Sequence, residues 1–146
     1  MKAVEGTIGR VFVIRLEDGD MIPASIEQFA AEKGIKTAQV TMISGVDQGN
    51  VISGPKDGKV MPIDPIINPI EGAHELLAVG LIALDEEGMP RLHIHGAFAR
   101  NGVVTGGCLR LGVKTWLVGE VVVNEILGLE SRRLLDQQSN FPLLEP

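Results

Sequence analysis

The chain has 146 residues, 45% of them apolar, which suits one domain around a single core. Its net charge is −6, and its Lys and Arg are scattered, so the sequence announces no basic face of the kind that unaided binding to phosphate backbones requires. A single cysteine excludes an internal disulfide and points to a reducing, cytoplasmic setting. No apolar run approaches the ~20 residues of a membrane helix, and the first residues carry no signal-peptide core.

Taken in chain order, GRVFVIRL (Gly9 to Leu16) alternates and is β-branched, which predicts a strand. EDGD turns the chain, and Asp20 is placed to cap a helix over MIPASIEQFAAEK. Ile22, Ile26, Phe29 and Ala30 fall on one stripe of that helix, and Gly34 is its stop. IKTAQVTMISGV is a second strand, so the chain opens as a β-α-β unit.

Between Gln48 and Gly72 four prolines, three of them from Met61 to Pro69, weaken any regular pattern. One short strand and an ordered loop are expected there. After that the pattern is all strand: His74 to Leu84, Leu92 to Arg100, Val103 to Leu111 and Thr115 to Leu127, parted by DEEGMP, NG and GVK. The tail SRRLLDQQSNFPLLEP reads as irregular and packed at an edge.

The fold class that follows is α/β of the α+β type. It is a single domain over residues 1–146, with a β-α-β start and a largely antiparallel sheet of six to seven strands. LLAVGLIAL and WLVGEVVV are apolar on both faces, which calls for cover on both sides. A chain with so few helices finds that cover most economically in another copy of itself.

Asn101-Gly102 is the two-residue hairpin signal, since a type I′ turn needs positive φ at both positions. With Arg100 facing Val103, His95 lies opposite Cys108 and His93 opposite Arg110. Residues i and i+2 share a face, as do directly opposed residues, so His93, His95 and Cys108 project from one patch. The two histidine Cα atoms would lie roughly 6–7 Å apart.

Two imidazoles and a thiolate suit Zn²⁺, with a fourth position left for water or substrate. The bland alternative is two histidines at a strand rim and a buried thiol, and a bulge at Gly106-Gly107 would break the alignment. The same arithmetic across DEEGMP puts Gly80 opposite His95, which would leave room above the site. His74 shares that face by parity but lies ~20 Å along its strand. It caps the strand start unless it reaches a neighbouring subunit.

Glu120, an acid inside WLVGEVVV, is either paired with a base or poised as a catalytic acid or base. Arg110 and Arg91 are candidate partners for it or for an anionic ligand. Cys108 with His95 as a nucleophile and base is a further option. No Walker-type loop, dinucleotide fingerprint, nucleophile elbow or C-x-x-C is present.

FVIRLEDGD, IEQFAAEKGI, VTMISGV, HELLAVGLIA, LHIHGAFAR, TGGCLRLG and WLVGEVVVNEI, in this order and spacing, together resemble the PPC domain, the plants and prokaryotes conserved domain. The resemblance implies a largely antiparallel α/β domain assembled as a homotrimer. It also implies a metal site made of H-x-H and a further histidine after the Gly-Gly pair. His93 and His95 match the first two positions, and Cys108 stands where many members have histidine.

The family is often labelled DNA-binding through relatives that carry AT-hooks, but this acidic chain has no R-G-R-P core. Two expectations follow. One is a cytoplasmic homotrimer with a zinc site that binds or acts on a small anionic or carbonyl ligand. The other is a non-enzymatic interaction module with a structural metal or none.

Overall fold

The computed structural model describes residues 1–146 apart from the side chain of Leu111. Its elements are β1 (Thr7–Glu17), α1 (Ile22–Lys33), β2 (Ala38–Pro55), β3 (Pro65–Pro69), β4 (His74–Leu84), β5 (Pro90–Arg100), β6 (Val103–Leu127), β7 (Arg132–Asp136) and β8 (Phe141–Glu145).

Four long strands close on themselves. β2 pairs with β6, β6 with β5, β5 with β4, and β4 returns to β2, all antiparallel. Closure removes the edges that long apolar strands would otherwise expose. β1 joins the free side of the C-terminal half of β6, β3 extends β2, and the β7–β8 hairpin meets β4 through Leu84 and Arg132.

Alternation sorts the side chains. Val40, Met42, Leu76, Ala78, Ile82, Leu92, Ile94 and Phe98 point to one buried face and join Ile22, Ile26 and Ala30 of α1 in a single core. The opposite face of the same strands carries Ile43, Leu77, Val79 and, from β1, Val11 and Val13. These are 52–80% exposed in the single chain.

The structure corrects several expectations. Strand dominates, with eight strands and one helix rather than a sheet of six or seven. β1 and β2 flank β6 instead of pairing directly, so the β-α-β start is split by a strand from the far end of the chain.

The segments expected to be parted by GVK form one long strand, β6, because its partner β2 also runs on to Pro55 and absorbs the bend as register shifts. The tail is a hairpin rather than irregular. Its turn is held by Asp136 Oδ2, which accepts bonds from Ser139 N at 2.7 Å and Ser139 Oγ at 2.6 Å.

The helix starts after Met21 with no side-chain cap. The Asp20 carboxylate instead accepts from Glu17 N at 2.8 Å and closes the preceding turn. Gly34 is the left-handed stop, φ 64°, and Phe29 packs edge-on against Phe12 at 5.2 Å.

Candidate metal centre

The hairpin sets the geometry. Asn101 and Gly102 adopt φ of 51° and 76°, and the ladder runs without a bulge from Arg100↔Val103 to His95↔Cys108. Gly106 and Gly107 keep register, facing Ala97 and Gly96. His95 and Cys108 are therefore directly opposed, and His93 joins them from two residues back along β5.

His93, His95 and Cys108 bring one ligand atom each within 4.8 Å of one another. The two Nε2 atoms lie 2.9 Å apart, with the rings edge-to-face at a 4.8 Å centroid distance. Two nitrogens on a tetrahedral zinc would be roughly 3.3 Å apart, given Zn–N bonds of about 2.05 Å. Small ring rotations span that difference, so the donor set fits the ion. The histidines are exposed and Cys108 is buried.

Arg110, two residues beyond the thiol on the same face, donates from Nε to Cys108 Sγ at 3.2 Å. The His93 ring is pushed down to about 4, chiefly by partial desolvation and then by the positive charges of Arg133, His95 and Arg110. At neutral pH it is an uncharged imidazole with a lone pair to give.

The second register expectation is corrected. Val79, not Gly80, lies opposite His95, and Gly80 faces Ile94. The β4–β5 connection is a three-residue loop, closed by Asp85 N to Met89 O at 2.9 Å with Gly88 at φ 78°, and that loop length sets the pairing. Gly80 points to the core, where a Cβ would meet His93 O at 2.7 Å. His74 consequently lies on the other face from His93 and His95. It starts β4, with Nδ1 2.7 Å from Gly72 O.

Glu120 is exposed. Alternation in β6 turns Val121 and Val123 inward and Glu120 outward. It lines an open hollow of about 720 Å³ on the apolar face with Val13, Ile43, Val79, Val122 and His95. The expected ion pair is not formed among the described residues. Arg91 binds Asp85 at 2.7 Å and Glu27 at 3.6 Å, Arg110 turns to Cys108, and Arg15, across from Glu120, binds Glu17.

Three contributors were missed by sequence reading. Glu27, Asp85 and Arg133 line a cavity of about 280 Å³ together with Arg91, His93 and Arg110. Arg133 escaped because RRLLD and FPLLE are short and do not alternate, so only the polar QQSN stretch between them signals a turn.

The model of the Plants and Prokaryotes Conserved (PCC) domain matches residues 3–127. The chain belongs to this family. Among solved structures, this PPC-domain chain is similar to a metal-containing protein from Archaeoglobus fulgidus, at 26% identity, TM-score 0.86 and 100% coverage of both chains. It is also similar to a plant- and prokaryote-conserved protein from Pyrococcus horikoshii, at 23% identity, TM-score 0.82 and 100% of both chains. A third similar structure, described as a candidate DNA-binding protein, comes from Ralstonia eutropha. It is 22% identical with a TM-score of 0.70, covering 92% of this chain and 90% of that one. No curated protein matches. Among the described residues of the PPC-domain chain, no helix is long and apolar enough to cross a membrane.

Proposed function

We propose that this PPC-domain protein is a cytoplasmic homotrimer with one zinc ion per chain, held by His93, His95 and Cys108 and open to a small ligand. The observation that carries the reading is the directly opposed His95–Cys108 pair with His93 beside it, all three donors within 4.8 Å. Soft sulfur with two imidazole nitrogens selects zinc over magnesium or manganese. The Arg110 N–H at Sγ complements the negative charge of a bound thiolate.

Bound there, zinc would supply Lewis acidity to a water or carbonyl at its open position. In a catalytic version of this reading, Glu120 is the general base, being the acid on the hollow that His95 also lines. The trimer is supported by the exposed apolar face and by the family resemblance. Leu77 and Val79 at 64% and 58% exposure form a surface that a second copy would cover.

The alternative is the non-enzymatic module of the family labelled DNA-binding, favoured by the descriptions of the Ralstonia protein and of a similar one from Bacteroides thetaiotaomicron. The net charge of −6 opposes direct contact with nucleic acid.

Elemental mass spectrometry on untagged wild type, His93→Ala and Cys108→Ser, with light scattering on each, tests the reading. About one zinc per chain in wild type, lost in both variants while the trimer mass persists, is the expected result. A wild type that takes up no zinc after incubation refutes it.

A further inference from the structure

We infer that the 280 Å³ cavity beside His93 is an anion subsite for a small organic carboxylate, gripped by Arg133 and Arg110. The inference rests on the zinc reading only in placing that carboxylate next to the centre. The subsite itself stands on charge and burial.

The acids around the cavity are already engaged. Glu27 accepts from Leu92 N at 2.8 Å and pairs with Arg91, while Asp85 takes Arg91 Nε at 2.7 Å and Met89 N at 2.8 Å. Two positive groups are left without an acidic partner among the described residues. Arg110 donates to Cys108 Sγ. Arg133, only 6% exposed, donates from one terminal nitrogen to Leu81 O at 2.8 Å, and its buried Nε has no partner.

A buried guanidinium with an unmet N–H and a like charge nearby is costly unless an anion completes it. Burial, then Arg110, holds Arg133 below the usual arginine range, offset only in part by Cys108 and Glu27. The planar fork of arginine matches a carboxylate, and two forks on one wall fix its orientation.

Size and charge narrow the class. The cavity has room for roughly nine waters at ~30 Å³ each, which fits an acid of a few carbons. Glu27 and Asp85 on its rim work against a dianion, so a monocarboxylate suits it better than phosphate. His93 is a wall of the cavity and the first histidine of the metal cluster, so the bound acid would lie against the centre.

The test is calorimetric titration of zinc-loaded, full-length protein with sodium lactate, and separately with inorganic phosphate. Wild type, Arg133→Met and Arg110→Met are compared, with zinc content measured on the same samples. Saturable lactate binding, weakened at least about tenfold in each variant, with Arg133→Met at unchanged zinc content and Arg110→Met compared per zinc bound, is the expected result. Arg110 is exposed, so its variant carries the comparison if Arg133→Met does not fold.

Three results overturn the subsite: no lactate binding by zinc-loaded wild type, equal binding by the arginine variants, or phosphate binding more tightly than lactate. Should wild type hold no zinc yet lose lactate binding in Arg110→Met, the metal reading falls and the subsite stands.

Discussion

Gly107 precedes the thiol of the candidate centre, and its replacement by alanine separates close packing from simple strand propensity. A Cβ at Gly107 would lie 2.7 Å from Ile52 O and 3.1 Å from Ile52 C, both backbone atoms of β2. No side-chain rotation relieves that contact, so β2 and β6 must part locally. Overpacking of this kind costs about 1–3 kcal/mol. Alanine in place of glycine returns roughly 0.5–1 kcal/mol by restricting the unfolded chain.

The net expectation for Gly107→Ala is therefore a destabilisation of up to about 2.5 kcal/mol, centred on about 1.3 kcal/mol, at roughly 2–4 °C of Tm per kcal/mol for a chain near this length. Gly106→Ala is the control. Its Cβ meets only Gly96 O, at 3.3 Å, so its midpoint should stay within about 0.5 kcal/mol of wild type. Urea unfolding of both variants at one fixed protein concentration reads the difference. Equal midpoints for the two would refute the packing argument and with it the tight β2–β6 seam under Cys108.

Glu125 is 5% exposed and accepts from Arg10 Nε at 2.7 Å, from its terminal nitrogen at 2.6 Å and from its backbone N at 3.1 Å, at the register shift between Ile8 and Val11 in the β1–β6 ladder. The Arg10 hydrogen bond lowers the carboxyl from 4.5 to about 2 against the opposing effect of burial. The stabilisation is complete above pH 4.5 and lost as pH falls toward 2, and Glu125→Gln should flatten that acid limb in pH-dependent unfolding. Gly102→Ala has open space around its Cβ but φ of 76°, so it should cost about 1 kcal/mol in urea with the hairpin register and zinc content unchanged. Ile43→Asp with Val79→Asp puts charges on the exposed apolar face. The proposed trimer should fall to monomer in analytical ultracentrifugation, and an unaltered sedimentation profile would count against that face as the contact.

How far the sequence discloses this molecule depends on loop length. The Asn101-Gly102 turn admits one register, so the pairing of His95 with Cys108 could be worked out from residue types alone. The DEEGMP connection admits several, and a change of one residue in the pairing moved Gly80 from the site face to the core and took His74 with it. Glu120 is hard to place from sequence because WLVGEVVV reads as a strand covered on both faces. In the single chain one face is open, and alternation alone puts the acid there. Closure of the four-strand ring rests on partners far apart in sequence, such as Ala38 between Ile82 and Glu125, which no local pattern encodes. Arg133 reaches the site by the same kind of long-range pairing.

His95 lines the open apolar hollow and His93 lines the arginine cavity, so the two touching rings form a partition with a different chamber on each side. An ion held by that partition has one side toward whatever covers the sheet and the other toward whatever enters between the arginines. Binding equilibria that share a boundary are linked reciprocally. If assembly tightens the hold on the ion tenfold, the ion strengthens assembly by the same factor. Metal-free protein would then come apart at dilutions that the loaded protein survives.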